Sequence, residues 1–368
     1  MKNKIFKNME WWILICAILL CIVGFFALYS AVQAANLDYL KRQIIWFSIS
    51  IVVMFVIIFI EYDLFIKVSP VLYGLSILLL IGVLFTGYIN GARSWFVIGP
   101  LSFQPGEISK ISCILFTAWL INKIQEKGKN EINNFWKLLL VLVANAVPIL
   151  LIVIQPDYGT AAAYVFALVL MLFVSGINKR YILSAIIIIV VTMPLFYMYI
   201  LPQHAKKRIE TFLNPELDPR GAGYNVIQSK MAIGAGELTG MGLLNGNQTQ
   251  LGYLSPKTTD FIYSVIGEEM GFVVAGSVII IYVILITKSL YVAKTAKDDI
   301  GSLICAGISG VFLFHMTENI GMTMGLLPIT GVPLLFVSYG GTSLMTSFVC
   351  IGLLLNISGR RKKTIFIE

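Results

Sequence analysis

The stretch that decides the fold class is residues 11–28, WWILICAILLCIVGFFAL, an apolar run without a single charged side chain. A helix needs about 20 mostly apolar residues to cross the hydrocarbon core of a bilayer. The run is also longer than the apolar part of a cleavable secretory signal, which has roughly 7–15 residues. We therefore interpret it as the first membrane-spanning helix.

The composition of the whole chain points the same way. Its 368 residues are 58% hydrophobic and only 12% charged, with a mean hydropathy of +0.87, whereas soluble domains carry roughly 25% charged residues. This polar surface is too small to cover a water-soluble protein, so a soluble fold is excluded. The net charge of +8 comes from basic residues in short segments between apolar runs, which indicates membrane topology and not nucleic-acid binding.

Apolar segments of spanning length recur along the entire chain. We predict an all-α polytopic membrane protein in which residues 1–368 form a single domain with about ten transmembrane helices. The predicted segments are 10–33, 43–60, 66–87, 108–122, 138–154, 158–176, 181–200, 261–287, 300–324 and 332–356. The five cysteines all lie in apolar stretches without metal-ligand spacing, so neither a disulfide framework nor a zinc site is indicated.

The distribution of lysine and arginine predicts the orientation. With the N-terminus in the cytoplasm, the short outside loops carry only Lys41, Arg42 and Arg93, and the inside segments carry many more basic residues. This asymmetry is what the positive-inside rule requires, and an even helix count places both termini in the cytoplasm. Residues 201–260 then form one long extracytoplasmic loop between helices 7 and 8. Apolar residues at Val226 and Met231 predict a short amphipathic helix within that loop, with Ile227 and Ile233 beside them.

Charged side chains beside an apolar span point to a functional site, because charge at membrane depth costs free energy. The first group surrounds the start of the fourth span and comprises Arg93, Trp95, Gln104, Glu107 and Lys110. Glu107 and Lys110 are three residues apart on one helix face, where they can form a purely structural ion pair. They would also suit a polar cavity for an anionic ligand, with Lys110 meeting a phosphate. Trp95 would equally suit an interfacial anchor.

Two aspartates mark the outer entries to other spans. Asp157 precedes the sixth span and Asp260 precedes the eighth. Either could simply cap its helix, because Asp is favoured there and complements the helix dipole. Asp260, at the boundary between water and lipid, would also suit a general base acting on a lipid-borne substrate. Glu268 and Glu269 lie deeper, and we expect at least one of them to face the protein interior.

The last two spans contain polar residues and helix breakers. His315 and Asn319 are four residues apart and share a helix face; a hydrogen-bonded packing role is the commoner one for such a histidine. Ser338 and Tyr339 belong to a stretch rich in Pro and Gly. Non-helical backbone at membrane depth is tolerated only where protein or a cavity covers it. We therefore predict that Ser338 and Tyr339 lie at a polar site.

Taken together, these motifs resemble the SEDS family (shape, elongation, division and sporulation). The matching stretches occur in family order: GARSW (91–95), QPGEISK (104–110), QPDYGT (155–160), TDFI (259–262), GEE (267–269), and VP (332–333) with SYGG (338–341). Each stretch is weak alone, but six in order across most of the chain are specific. The stretches GAGYNVIQSK (221–230) and NQTQL (247–251) look more like the RodA branch than the FtsW branch.

The resemblance implies a peptidoglycan glycosyltransferase, multi-pass in the bacterial cytoplasmic membrane, with its active site facing outside. Such an enzyme polymerises lipid II, the undecaprenyl-pyrophosphate-linked disaccharide peptide. Asp260 matches the family's essential aspartate, which would deprotonate the acceptor 4-hydroxyl. Arg93, Lys110 and Arg208 would neutralise the pyrophosphate. The remaining expected substrate-binding residues are Trp95, Gln104, Glu107, Asp157, Glu268, Ser338 and Tyr339.

The resemblance also implies partners. A class B penicillin-binding protein would supply transpeptidation, and other elongation or division membrane proteins would join it. No tightly bound cofactor is expected, and a divalent cation such as Mg²⁺ is a candidate helper. The chain departs from the family in two places: Lys257 and Thr258 replace a carboxylate and an imidazole before the Thr-Asp motif, and Gly106 replaces a serine. These departures put the metal or acceptor contacts of the loop in doubt.

Two other classes of function stay open at this point. Buried charges and broken helices also suit a flippase for lipid II or a transporter of another polyprenyl lipid. A transport site would use charges near the membrane midplane, whereas Asp260 is predicted at the outer rim. The third class is a non-catalytic scaffold for a penicillin-binding protein.

Overall fold

The computed structural model describes residues 6–32, 37–89, 92–99, 101–200, 203–218 and 221–361, and these ranges are mostly helical. The α-helices, in chain order, are α1 (Trp11–Ala31), α2 (Asp38–Phe59), α3 (Tyr62–Gly82), α4 (Pro105–Gln125), α5 (Phe135–Ile154), α6 (Tyr158–Val174), α7 (Lys179–Leu195), α8 (Gln203–Leu213), α9 (Ala222–Ala235), α10 (Asn247–Gln250), α11 (Ile262–Thr295), α12 (Asp299–Thr323) and α13 (Gly341–Gly359). A small antiparallel hairpin, β1 (Phe96–Ile98) and β2 (Leu101–Phe103), precedes α4 and pairs Val97 with Ser102. The remaining helical turns are the 3₁₀ segments Val83–Phe85, Lys129–Asn133 and Pro215–Leu217 and the π-helical Phe196–Ile200.

Seven helices in the described ranges are long and apolar enough to cross a membrane. They are Trp11–Ala31, Asp38–Phe59, Tyr62–Phe85, Phe135–Ile154, Ile262–Thr295, Asp299–Thr323 and Gly341–Gly359. Two shorter apolar helices, Tyr158–Val174 and Val190–Tyr199, accompany them. The chain is therefore an all-α, multi-pass membrane protein, as its composition predicts.

Helix α4 is not among these seven helices because it carries charge along an otherwise apolar segment. It contains Glu107, Lys110 and Lys123, yet most of its residues are buried, including Glu107 and Lys110. Helices α12 and α13 are also buried along most of their length. These three helices form the centre of the molecule, where charged side chains meet protein partners and avoid lipid.

The outer helices expose their apolar side chains. On α2 and α3, large residues such as Val52 (63% exposed) and Leu78 (65% exposed) point away from the core. Exposure of this kind would be costly in water, but lipid tails are as apolar as leucine. The pattern is therefore that of a protein whose periphery contacts lipid.

Two predicted boundaries are wrong by more than five residues. The eighth span was predicted to end at residue 287, but α11 continues to Thr295. The last span was predicted over residues 332–356, but α13 begins only at Gly341. Pro333 has no N–H to donate to a helix. The N–H of Tyr339 is also not available for a helix, because it donates to the carbonyl of Thr258 at 2.9 Å. Residues 332–340 instead form a non-helical segment that returns to the start of α11.

The predicted helix in the long loop is present as α9. Val226 is buried, whereas Met231 is 52% exposed. The inner face is built from small residues, because the Ser229 hydroxyl lies 2.6 Å from both the Ser264 hydroxyl and the Thr323 carbonyl. The hydroxyl of Ser229 thus joins α9 to α11 and to the end of α12.

Helix α11 is broken at Gly271, and the loop fills the break. Gly271 has φ +76°, in the left-handed region that glycine adopts without strain. The N–H groups of Phe272 and Val273 donate to the carbonyls of Glu237 and Leu238 at 2.9 and 3.1 Å. In return, the Met241 and Gly242 N–H groups donate to the carbonyls of Glu268 and Glu269 at 2.9 and 3.0 Å. The loop thus satisfies the backbone groups that the break would leave unpaired.

Gly240 is the tightest point of this junction and gives a test of it. It has φ +83°, and a β-carbon built there would lie 2.2 Å from the Glu269 carbonyl oxygen. We expect Gly240→Ala to lower the free energy of unfolding by at least about 1–3 kcal/mol, the usual cost of such backbone strain. Thermal unfolding in detergent measures this effect. Gly276→Ala is the matched control on α11, because nothing lies within 4 Å of its β-carbon position; equal losses in both variants would contradict the described junction.

Candidate active site

Asp260 lies at the end of the long loop, two residues before the start of α11. It is half-buried, and its backbone carbonyl accepts a hydrogen bond of 3.0 Å from Nδ2 of Asn319. The interpretation of Asp260 as a helix cap is wrong, because α11 begins at Ile262 and its N-cap residue is Phe261.

The segment of residues 330–340 lies beside Asp260. A β-carbon built at Gly331 would lie 3.4 Å from Oδ2 of Asp260, so the bare backbone of this glycine faces the carboxylate. The Ser338 hydroxyl donates to the Thr259 carbonyl at 2.7 Å. Ser338 and Tyr339, both predicted site residues, therefore bind the two residues that precede Asp260.

Gln43 on α2 fixes the same segment from the other side. Its side-chain nitrogen donates to the Ser338 carbonyl at 3.2 Å, and its oxygen accepts from the Gly340 N–H at 3.2 Å. The Tyr339 ring packs edge-on against Tyr39 at 5.0 Å. Burial raises the pKa of Tyr339 above its ordinary value, although Arg42 nearby opposes this shift. Tyr339 is thus a neutral hydroxyl at physiological pH.

Asp157 caps α6 as predicted and also binds Gln104. Its Oδ1 accepts from the Thr160 N–H at 3.1 Å, and its Oδ2 accepts from Nε2 of Gln104 at 2.6 Å. Burial is the main cause that raises the pKa of Asp157, and the hydrogen bonds from Thr160 oppose it. The start of α6 packs on the segment beside Asp260, because a β-carbon at Gly159 would meet Val332 at 2.1 Å.

Glu107 and Lys110 form the predicted ion pair in the centre of the molecule. Lys110 Nζ lies 2.9 Å from Oε1 of Glu107 and 3.0 Å from Nε2 of His315. The hydroxyl of Thr346 donates to the other oxygen of Glu107 at 3.2 Å. The side chains of the pair are only 3–5% exposed. The two cavities that Lys110 lines are about 10 Å³ each, room for about one water molecule. The prediction that Lys110 meets a phosphate stays a prediction.

Arg93 and Trp95 lie on the chain between α3 and β1. Arg93 Nη1 donates to the Leu84 carbonyl at 3.3 Å, and its guanidinium carbon lies 4.2 Å from the centre of the Tyr88 ring. Its Nε is buried without a hydrogen-bond partner, so part of its donor capacity is unused. Trp95 is half-buried, which fits an anchor as well as a binding residue.

Comparison with known proteins identifies the family. A family model described as "cell cycle protein", covering FtsW, RodA and SpoVE, matches residues 10–363. The chain belongs to the SEDS family. The chain is 35% identical over 348 residues to peptidoglycan glycosyltransferase MrdB of Escherichia coli K12, covering 94% of this chain and 92% of the relative. It is 31% identical over 440 residues to peptidoglycan glycosyltransferase RodA of Treponema pallidum, covering 98% of this chain and all of the relative.

Solved structures give the same family and fold. A chain of a peptidoglycan synthase complex that coordinates polymerization and crosslinking superposes with a TM-score of 0.83 at 28% identity, covering 95% of this chain and 97% of the other. The rod shape determining protein RodA of Thermus thermophilus superposes with a TM-score of 0.72 at 26% identity, covering 96% and 98%. The RodA-like character predicted from the loop motifs is confirmed.

Two further predicted site residues of this SEDS protein are Arg208 and Glu268. Arg208 belongs to α8, but its side chain lies outside what the structure describes. Glu268 is fully buried, and its carboxylate accepts from the Gln248 N–H at 2.6 Å and from Thr249 at 2.6 and 2.9 Å. These bonds hold the loop around α10, so the structure gives Glu268 a loop-fixing role in place of an open binding surface.

The family departure at Lys257 falls in the same loop. Lys257 Nζ donates to the Thr249 carbonyl at 2.7 Å. Burial lowers the pKa of Lys257, and Glu269 and Glu268 partly oppose this shift. Lys257 therefore lies near two carboxylates, at a position where the family usually places another carboxylate.

Sequence reasoning missed Glu318. This residue on α12 is only 7% exposed, and its Oε1 accepts from the Thr330 hydroxyl at 2.7 Å, next to the glycine that faces Asp260. The signal was available, because a carboxylate inside the predicted span 300–324 is costly and therefore informative. The role of Gln43 had no comparable signal, since a glutamine at the start of an apolar segment is unremarkable.

Proposed function

We propose that this SEDS protein is a peptidoglycan glycosyltransferase that polymerises lipid II for cell elongation. The observation that carries the proposal is the placement of Asp260: a half-buried carboxylate at the junction of loop and spanning helix. The relatives named MrdB and RodA are glycosyltransferases of this kind. Lipid II has its tail in the bilayer and its sugars in water, so a base at this boundary matches the geometry of the substrate.

In the proposed reaction, the Asp260 carboxylate takes the proton of the acceptor 4-hydroxyl. The freed oxygen forms a bond to the anomeric carbon of the donor sugar, and the bond from that carbon to pyrophosphate breaks. Undecaprenyl pyrophosphate leaves with the electron pair. Its negative charge is met by the cations Arg93, Arg208 and Lys110, with Lys110 acting through a rearrangement of its ion pair. Trp95, Gln104, Glu107, Asp157, Ser338 and Tyr339 complete the proposed substrate-binding wall, and Glu268 shapes it through the loop.

In the part of the chain that the structure describes, the side chains do not fit a metal held by protein alone. Within the described ranges, no group of three or more His, Cys, Asp or Glu side chains could hold a metal ion. An Mg²⁺ ion remains an expectation for the pyrophosphate of the substrate, which supplies oxygen ligands of its own.

We further propose the orientation of the protein: about ten spans in a single domain, both termini in the cytoplasm, and residues 201–260 outside. The basic residues that gather at one end of the helices support this orientation. Glu10 binds Lys288 at 3.0 Å and Arg361 at 3.4 Å, at the ends of helices assigned to the cytoplasm. Asp157 and Asp260 lie at the other ends of their spans. The active site would then face outside.

Cysteine labelling tests this orientation on intact cells. All five native cysteines are buried, so the background is low. We expect Leu217→Cys, 64% exposed in the long loop, to react with a membrane-impermeant maleimide. Lys297→Cys, exposed between α11 and α12, should react only after the cells are opened. The reverse pattern would invert the proposed topology.

Polymerisation of labelled lipid II tests the function itself. The purified protein, alone and with class B penicillin-binding proteins, is incubated with the substrate, and glycan lengths are resolved on a gel. We expect a ladder in the presence of the cognate partner. The solved peptidoglycan synthase complex motivates the partner.

A second candidate function is transport, because the central group of Glu107, Lys110 and His315 places charge inside the helix core. Movement of labelled lipid II across vesicles without any ladder would favour a flippase. If neither activity occurs with folded, partnered protein, a scaffold role is favoured. Either result would overturn the proposed polymerase.

A further inference from the structure

Three polar side chains near the end of α12 form one buried row. Glu318 and Asn319 lie three and four residues after His315, which places both of them on the same side of the helix as His315. His315 and Asn319 are fully buried, and Glu318 is 7% exposed. Polar groups this deep must be hydrogen-bonded to be tolerated. Their partners therefore show what the row does.

All three side chains bind one short non-helical segment, residues 330–333. The row makes one contact at each of three positions of this segment, over distances of 2.7 to 3.0 Å. These contacts are from Glu318 Oε1 to the Thr330 hydroxyl, from Asn319 Nδ2 to the Val332 carbonyl, and from His315 Nδ1 to the Pro333 carbonyl. We call the row and this segment the α12 clamp.

The α12 clamp lies against Asp260 at two places, its backbone carbonyl and its carboxylate. Asn319 Nδ2 donates to the Asp260 carbonyl at 3.0 Å as well as to the segment. Gly331, the central glycine of the segment, faces Oδ2 of Asp260 and has φ +77°. The clamp thus fixes both the backbone of Asp260 and the surface against which its carboxylate rests.

The clamp also reaches the central ion pair. The Pro333 carbonyl can only accept a hydrogen bond, so Nδ1 of His315 carries the hydrogen and Nε2 accepts from the Lys110 ammonium. The latter distance is 3.0 Å. An unbroken series of contacts therefore runs from Glu107 through Lys110, His315 and the segment to Asp260.

We propose that Glu318 and His315 are positioning residues that hold Asp260 at its catalytic orientation through residues 330–333. This inference rests on the proposed role of Asp260 as the base. A group displaced by about 1 Å can lose about 10²-fold in rate. Loosening the clamp should therefore slow the chemical step while leaving substrate affinity almost unchanged.

Glu318 provides the sharpest test because, in the part of the chain that the structure describes, its carboxylate accepts a hydrogen bond only from the Thr330 hydroxyl. We expect Glu318→Leu to lower kcat for lipid II polymerisation by about 10- to 100-fold, with KM changed less than about threefold. Glu318→Gln keeps a carbonyl that accepts from Thr330, so it should stay within about threefold of the wild-type kcat. A side chain that only fills space would show no such rescue.

Thr330→Val removes the same bond from the other partner with little change in volume. We expect a loss of kcat similar to that of Glu318→Leu. The matched control is Thr317→Val on α12, since the Thr317 hydroxyl is exposed and donates only within its own helix, to the Leu313 carbonyl at 2.8 Å. Rates are normalised to folded protein by thermal unfolding and size-exclusion profiles.

Asp260→Asn, run in the same assay, separates the possible failures. If Asp260→Asn is inactive while Glu318→Leu and Thr330→Val keep the wild-type kcat, the clamp proposal is overturned and the proposed function stands. If Asp260→Asn keeps full activity, the role of Asp260 fails first. A loss in Glu318→Gln equal to that in Glu318→Leu would also overturn the clamp, since the hydrogen bond would then not be the cause.

Discussion

Replacing Asp260 by asparagine is expected to lower lipid II polymerisation by about 10²- to 10⁴-fold, the contribution of a positioned general base. Asparagine has the same shape but cannot accept the proton of the acceptor hydroxyl. The backbone carbonyl of Asp260, bound to Asn319, is unchanged by the substitution, so the variant should fold. Initial rates of glycan formation on gels, at saturating and at limiting lipid II, measure the effect.

Asp299→Asn is the control for this experiment. Asp299 lies at the start of α12, at the proposed cytoplasmic end, and pairs with Lys129 at 3.1 Å with both side chains more than half exposed. An exposed pair of this kind contributes about 0–1 kcal/mol, so the control should polymerise normally. If Asp260→Asn raises KM but leaves kcat intact, Asp260 binds substrate and another group is the base.

The second large effect concerns the stability of the central ion pair. We expect Lys110→Met to lower the free energy of unfolding by about 3–5 kcal/mol, because it leaves the buried Glu107 carboxylate without its cation. The double variant Glu107→Leu/Lys110→Met should recover most of this loss, since neither charge remains. Unfolding in mixed detergent micelles, followed by circular dichroism, measures both variants. Lys129→Met, at an exposed ion pair, is the matched control and should lose no more than about 1 kcal/mol.

The same double variant separates the two interpretations of the pair. A pair that is purely structural leaves polymerisation intact once stability is restored. A pair that belongs to the substrate site gives a folded protein with at least a tenfold lower rate, and this is the result we expect. Equal stability of Lys110→Met and wild type would contradict the buried contacts of Lys110 with Glu107 and His315.

The contacts of the site residues fall into two groups. Some join residues that are close in sequence and could be predicted, and others join residues that are far apart in sequence. Asp157 and Pro105 occupy the helix starts that their residue types predict, because capping depends only on neighbours in sequence. Glu107 and Lys110 pair for the same reason, three residues apart on α4. The capping interpretation of Asp260 failed because the chain turns once more, and Phe261 takes the N-cap position.

Contacts between distant parts of the chain carried no local signal. Gln43 binds residues almost 300 positions away in sequence, and Glu268 turned out to hold its own loop. The late start of α13 has the same origin, because the Tyr339 N–H donates to the carbonyl of Thr258 and the Ser338 hydroxyl donates to the carbonyl of Thr259. No window of sequence could contain both partners of such bonds.

The sequence by itself determined the solvent of this protein, its helical class and its family, since hydropathy and short ordered motifs are properties of the chain alone. Only the tertiary structure decided which polar side chains meet: Lys110 with His315, and Glu318 with the segment beside Asp260. The physical reason is that buried polar groups must find partners wherever the packed helices place them. Those partners are fixed by helix packing and not by spacing along the chain.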